Sequence, residues 1–276
     1  MLESFNPSCK IVFITVELSL LSDVDTACKQ ILTSENKVDY SYMSAGMLSL
    51  NGAEYTKESL ELSFTLSYYS RMRLLSNMLP LLSSSPQPRV LSVFRGGKEN
   101  PVVDNDLSLE KSWSALAVIN HSATMTSLAF EYLAENHRQI TFMYAFPGFV
   151  QTSLVTRITP PGTSGIFWGI SLAALRGAFL VVAALFGTST EESGERHAYH
   201  LTSDSFNPGA WCIDTCSDKV TSPGVLAQYR ERGWPEKVWD HTLRVFKKIR
   251  FSERLFWGDR NGIMHRGLLF KNDNHV

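Results

Sequence analysis

What the chain lacks narrows it first. It has four cysteines in 276 residues, Cys9, Cys28, Cys212 and Cys216. They are too few and too scattered for a disulfide framework, so a reducing compartment, the cytoplasm, is expected. It has no charge bias. Lys and Arg number 26, Asp and Glu 27, and the formal net charge is −1. No nucleic acid or acidic surface is called for as a partner. The opening MLESFNPSCK has no charged region followed by an apolar one, so no signal peptide is expected. No Gly-x-Ser-x-Gly supports a hydrolase. Cys212 and Cys216 beside His197 and His200 do not have zinc spacing, so no metal is expected. No glycine precedes Gly46, which excludes a Gly-rich phosphate turn ahead of that point.

What is present is a chain able to build a sizeable core, with 44% hydrophobic residues, 16 Phe and 6 Trp. KIVFITVEL (10–18) reads as a buried strand and SDVDTACKQILTS as a helix with one apolar stripe. KVDYSYMSAG (37–46), PRVLSVFRGG (88–97) and QITFMYAFPGF (139–149) read as strands, and RHAYHLTS (196–203) as a fifth. Long helices are expected over 55–82 and 109–137, and a helix pair broken at Pro235 over 225–249. Leu62, Leu66 and Tyr69 start a second apolar stripe on the first long helix, which suggests a neighbouring subunit and hence a homo-oligomer. Residues 165–187 are apolar apart from Ser171, Arg176 and several Gly. A charge near the middle is costly in a bilayer, so a buried or substrate-covering helix is preferred over weak membrane contact.

Strands alternating with helices predict an α/β fold, a doubly wound parallel sheet. One domain is expected over 1–250, with a C-terminal tail over 251–276. Such sheets bind ligands beyond the carboxyl ends of their strands. The residues to examine are therefore Glu17, Ser44 to Gly46, Ser92 to Gly97 and Pro147 to Thr152.

The order and spacing of several stretches resemble the short-chain dehydrogenase/reductase family, and within it the fungal branch of secondary-metabolite pathways. SAG after the second run is similar to that family's Asn-Asn-Ala-Gly strand end. YYSRMRLLSNMLPLL and PRVLSVFRGG resemble its fourth helix and fifth strand, and FPGFVQTSL its Pro-Gly-x-Val-x-Thr loop. EESGERHAYHLTS and EKVWDHT resemble stretches of the fungal branch. The resemblance implies a Rossmann-like fold, an NADP or NAD cofactor and a small apolar metabolite as substrate. It places Glu17 at the adenine, Ser44, Gly46, Pro147 and Gly148 along the cofactor cleft, Thr152 at the nicotinamide carboxamide and Ser92 at the substrate carbonyl.

Two departures follow. The first βαβ unit of the family, with its Gly-rich turn, has no counterpart. A truncated gene record and a protein that dispensed with the dinucleotide both account for this. In the family's strand order, 3-2-1-4-5-6-7, residues 10–18 would be left roughly 10 Å from 37–46. They are expected to slide in beside that strand or to pair across a subunit boundary. The second departure is chemical. Trp113 stands at the position of the family's catalytic Tyr, and Ala117, or Val118 with the register moved by one, at that of its Lys; no Tyr lies between Tyr69 and Tyr132. An indole N–H donates a hydrogen bond but is no acid near neutrality. His121 reads first as a structural histidine; facing the cleft, it would be the remaining acid/base.

The catalytic candidates are therefore Ser92, Trp113 and His121, with the cofactor expected not to be bound by this chain. Three readings stay open: an oxidoreductase, a non-redox enzyme (cyclase, isomerase or dehydratase) using the same cleft, and a catalytically dead binding or scaffold partner. A closed apolar cleft around Ser92, Trp113 and His121 favours an enzyme; a cleft filled by side chains favours a scaffold.

Overall fold

A computed structural model describes residues 9–47, 52–150, 187–221 and 224–261, with side chains through Ile249, and a few helical residues between 170 and 178. Its elements in chain order are α1 (Leu21–Ser34), β1 (Tyr40–Met43), α2 (Leu62–Phe64), a π turn (Thr65–Tyr69), α3 (Ser70–Ser83), β2 (Arg89–Val93) and α4 (Ala115–Asn136). They continue with β3 (Thr141–Ala145), α5 (Thr190–Thr202), β4 (Gly209–Ile213), α6 (Gly224–Glu231) and α7 (Trp234–Asn261). The sheet has four strands in the order β1-β2-β3-β4, all parallel.

Both faces of the sheet are covered, and the strand period shows how. Val90, Phe142 and Tyr144 point into the larger core, shared with α1 to α4, α6 and α7. Leu91, Val93, Met143 and Ala145 point the other way, into a smaller cluster with Phe206, Ile213 and Leu201 of α5. Successive residues of a strand face opposite sides, so strands buried on both faces read as continuous apolar runs. That is why β2 and β3, buried at every position, were visible as apolar runs.

Two expectations are corrected. Residues 10–18 form no strand; Val12 and Phe13 are 62% and 87% exposed. Strand preference is realised only by pairing with a neighbour, and β1 pairs with β2 alone among the described residues. Residues 196–203 belong to α5, not to a strand. Ser189 caps the helix by accepting from Glu192 N, Glu191 and Glu192 occupy the positive first turn and His200 the last. The strand after it is GAWCI, which is short and has only one β-branched residue. Helix also continues past Arg250 to Asn261, across the expected start of the tail.

One residue of the second stripe, Tyr69, and its neighbour Tyr68 have an intramolecular partner. Tyr68 Oη lies 2.6 Å from Thr242 Oγ1 and Tyr69 Oη 3.0 Å from His241 Nε2, both on α7. Phe246 takes the Arg73 guanidinium over its ring at 4.9 Å. Trp234, Val238, Trp239 and Phe246 are buried along α7. At roughly 1.5–3 kcal/mol for each large apolar side chain, this is one of the larger packing contributions in the molecule. Of the stripe expected to meet a neighbouring subunit, Tyr69 meets the chain's own C-terminal helix, while Leu62 and Leu66 stay partly exposed. Most of 165–187, together with 262–276, lies outside the described residues. No described helix is long and apolar enough to cross a membrane.

The fold predicts sensitivity to acid. His200 is 2% exposed and neither ring nitrogen has a hydrogen-bond partner among the described residues. Burial, then the charges of His197 and Arg196, push its pKa down to about 4. The unfolded chain binds that proton from about pH 6.5 downward, so stability is complete above 6.5 and falls as the pH drops toward 4. Linkage gives a loss of about 1–2 kcal/mol by pH 5 from this one ring. Urea unfolding at pH 7 and pH 5 should show the loss, and His200→Leu should remove this part of it.

Candidate functional site

The carboxyl ends of β1 and β2 are held by one side chain. Arg71 follows the π turn, whose extra residue rotates the rest of the helix relative to its start. The guanidinium is 4% exposed. Its Nε and Nη2 donate to Ala45 O at 3.2 and 2.6 Å, and its Nη1 to Ser92 Oγ at 2.8 Å and Val93 O at 3.0 Å. Burial draws its pKa below the usual value, with Tyr144 and Tyr42 acting in the opposite sense. Arginine still carries its charge in such a place.

This clamp gathers several of the sequence candidates. Ser92 is fully buried and its oxygen accepts from the guanidinium. Ser44 and Gly46 are exposed on either side of Ala45. A Cβ on Gly46 would lie 3.6 Å from Arg71 Nη2 and 4.0 Å from Ser67 Oγ, so these residues converge at one place. The loop after β2 crosses the end of β3 closely enough that a Cβ on Gly96 would stand 1.8 Å from Tyr144 O. Pro147 and Gly148 follow β3; Gly148 has φ +74°, and a Cβ there would approach Thr215 Cγ2 to 2.9 Å.

The other candidates are placed differently. Glu17 is not a strand end. It is exposed in the turn before α1, where its Oε1 accepts from Ser19 N at 3.1 Å and Ser19 Oγ at 2.7 Å. Those bonds hold its pKa below the usual value. His121 is 1% exposed. Its Nε2 accepts from Val103 N at 2.8 Å, which puts the proton on Nδ1, 3.4 Å from Leu107 O. Burial lowers its pKa. In this form it ties the 102–107 loop to α4. Thr152 lies outside the described residues. His197 and His200 share a small cleft with Pro147, Asp214 and Thr215, and no metal-holding group occurs among the described residues.

Trp113 is not on the helix. α4 begins two residues later, capped by Ser114 Oγ, which accepts from Ala117 N at 3.1 Å. The preceding loop is fixed by Asp106, which accepts from the amides of Glu110, Lys111 and Ser112. The Trp113 indole N–H is buried and faces the Glu61 carboxyl, although neither Nε1 nor Oε1 completes a bond of good geometry. Glu61 is 6% exposed and caps α2, its Oε2 accepting from Phe64 N at 2.6 Å. Burial raises its pKa; the Phe64 and Ser63 amides and the indole oppose this, and Glu54 adds to it. Glu61 and Arg71 were missed in the sequence. Glu61 carried a signal, an acidic residue three positions before the amide it caps. Arg71 carried none, because it sits among apolar residues.

No family profile matches the chain. It is 35% identical over 269 residues to Oxidoreductase AN1596 of Emericella nidulans, covering 87% of this chain and 78% of that protein. It is 25% identical to Short-chain dehydrogenase/reductase SAT2 of Stachybotrys chartarum, over 84% of this chain and 74% of that one. Among solved structures, a short-chain dehydrogenase from Streptomyces avermitilis superposes with a TM-score of 0.53 at 15% identity, over 95% of this chain and 83% of that one.

The clamp should dominate stability at this end of the sheet. Arg71→Met leaves Ala45 O, Val93 O and Ser92 Oγ without their donor, at about 1–3 kcal/mol for each buried group. Urea unfolding should show a loss of at least about 3 kcal/mol, a sum that counts on more than one of these groups going unpaired. Arg71→Lys should recover only part of it, because an ammonium has no fork to span two strands.

Proposed function

Because the chain belongs to the short-chain dehydrogenase/reductase family, we propose that it uses that fold's strand-end cleft for a small apolar metabolite, without transferring hydride. The observation that carries this reading is the Ser92 hydroxyl, sealed under Arg71 and engaged with its guanidinium. A hydroxyl so placed does not orient a substrate carbonyl. The position of the family's proton donor holds an indole, and Ala117 offers a methyl group where a lysine would hold ribose. NAD or NADP, the cofactor the resemblance implies, is a poor match to these residues, and no step is derived through it.

The metabolite class, a pathway of secondary metabolism and a cytoplasmic setting belong to the same proposal. So does a homo-oligomer. Of the two non-redox readings, the filling of the cleft at Ser92 and His121 fits the scaffold, while one observation favours the enzyme. Trp113 and Glu61 keep buried polar atoms without well-formed partners, as a site awaiting a ligand would. Hydride transfer remains the competing reading, favoured by the relative named as an oxidoreductase.

A titration separates them. Calorimetry with NADPH and with NADH should give no micromolar binding, and reduced-cofactor absorbance should not decline with ketone substrates. Losing a placed general acid alone costs about 10²–10⁴ in rate. Trp113→Tyr should restore no turnover, because the lysine and a free serine hydroxyl are missing as well. Micromolar binding with steady cofactor oxidation would establish the redox reading instead.

A further inference from the structure

We propose that Glu61, paired with the Trp113 indole, is the proton-transfer group of this chain and acts on enolisable carbonyl compounds. The inference rests on the reading that the cleft works without hydride. Among the described residues, Glu61 Oε1 and Trp113 Nε1 are two of the buried polar atoms without well-formed partners. One accepts and the other donates, and the indole acts on that carboxyl. Such a pair suits a ligand group that loses a proton at one atom and gathers charge at another. Glu61 is anchored by its other oxygen on Phe64 N, so Oε1 is held in place, as a catalytic base must be. Trp113 is only partly buried, and Leu116, three residues on, is 64% exposed. Glu54 is the other carboxylate that acts on Glu61.

The step balances without a co-reactant. The Glu61 carboxylate takes the α-proton of a ketone, and the C–H electron pair becomes the enolate. The indole N–H donates to the enolate oxygen. The carboxylic acid then returns the proton to the α-carbon, or to a conjugated γ-carbon. The first outcome is hydrogen exchange and the second is isomerisation.

The test has two readouts. The first is tryptophan fluorescence against pH, wild type minus Trp113→Phe. It should titrate with a midpoint above 4.5, the ordinary glutamate value, and the transition should vanish in Glu61→Gln. The second is solvent-deuterium exchange into β-tetralone, a plain enolisable ketone, followed by mass spectrometry. Wild type should exceed buffer, and Glu61→Gln should lower the enzyme rate about 10²–10⁴-fold, with Glu61→Asp recovering part. The indole steadies the charged carboxylate, so Trp113→Phe should move the pH midpoint of exchange upward while leaving the helix cap intact. That variant decides the matter if Glu61→Gln does not fold. Exchange absent from wild type, unchanged in Glu61→Gln, or unmoved in midpoint by Trp113→Phe overturns the proposal. Cofactor oxidation by wild type would instead overturn the reading beneath it, whatever the exchange shows.

Discussion

The Arg71 guanidinium joins the carboxyl ends of two adjacent strands through two main-chain carbonyls and one hydroxyl. β1 has four residues and, among the described residues, is paired on one side only, so its end leans on this contact. A charge so deep is tolerated because its donors are spent on fixed dipoles. The loop carrying Ser44 and Gly46 hangs on this arrangement. So does the state of Ser92, whose oxygen is an acceptor as long as the arginine is there.

The same helix divides its duties at the π turn. Before it, Glu61 and Phe64 face Trp113 and His121 at the head of α4. Within it, Tyr68 and Tyr69 turn toward α7. After it, Arg71 reaches the sheet and Arg73 binds Asp25 of α1 through Nε at 2.6 Å and Nη2 at 2.5 Å. Four neighbours are served by the thirteen residues from Glu61 to Arg73, which a uniform 3.6-residue period would not allow.

Much of the fold was legible because its cause is local. The runs that became β1, β2 and β3 were apolar and bounded by turn residues, and the helices carried caps and stripes. The failures have a common origin in context. KIVFITVEL has the composition of a strand, but pairing decides whether a strand forms. RHAYHLTS alternates well enough to mimic one, but its capping residues lie upstream, at Ser189 to Glu192. At the site, Ser44, Gly46 and Ser92 were placed by their position at strand ends. The sequence could not reveal that an arginine from a distant helix turn would seal Ser92, nor that Glu61 would meet Trp113 across 52 residues of chain. Those contacts are tertiary, and no periodicity encodes them.

The pairing of Tyr69 with His241, 172 residues apart, has a consequence for synthesis on the ribosome. At roughly 5–20 residues per second, the tyrosine stripe is made about 10–35 s before the helix that covers it. Through that interval β2, β3 and β4 are still being added, and the seal over the helical layer comes after all of them. A chaperone that holds aromatic surface until the last sixth of the chain emerges would find its target in that stripe.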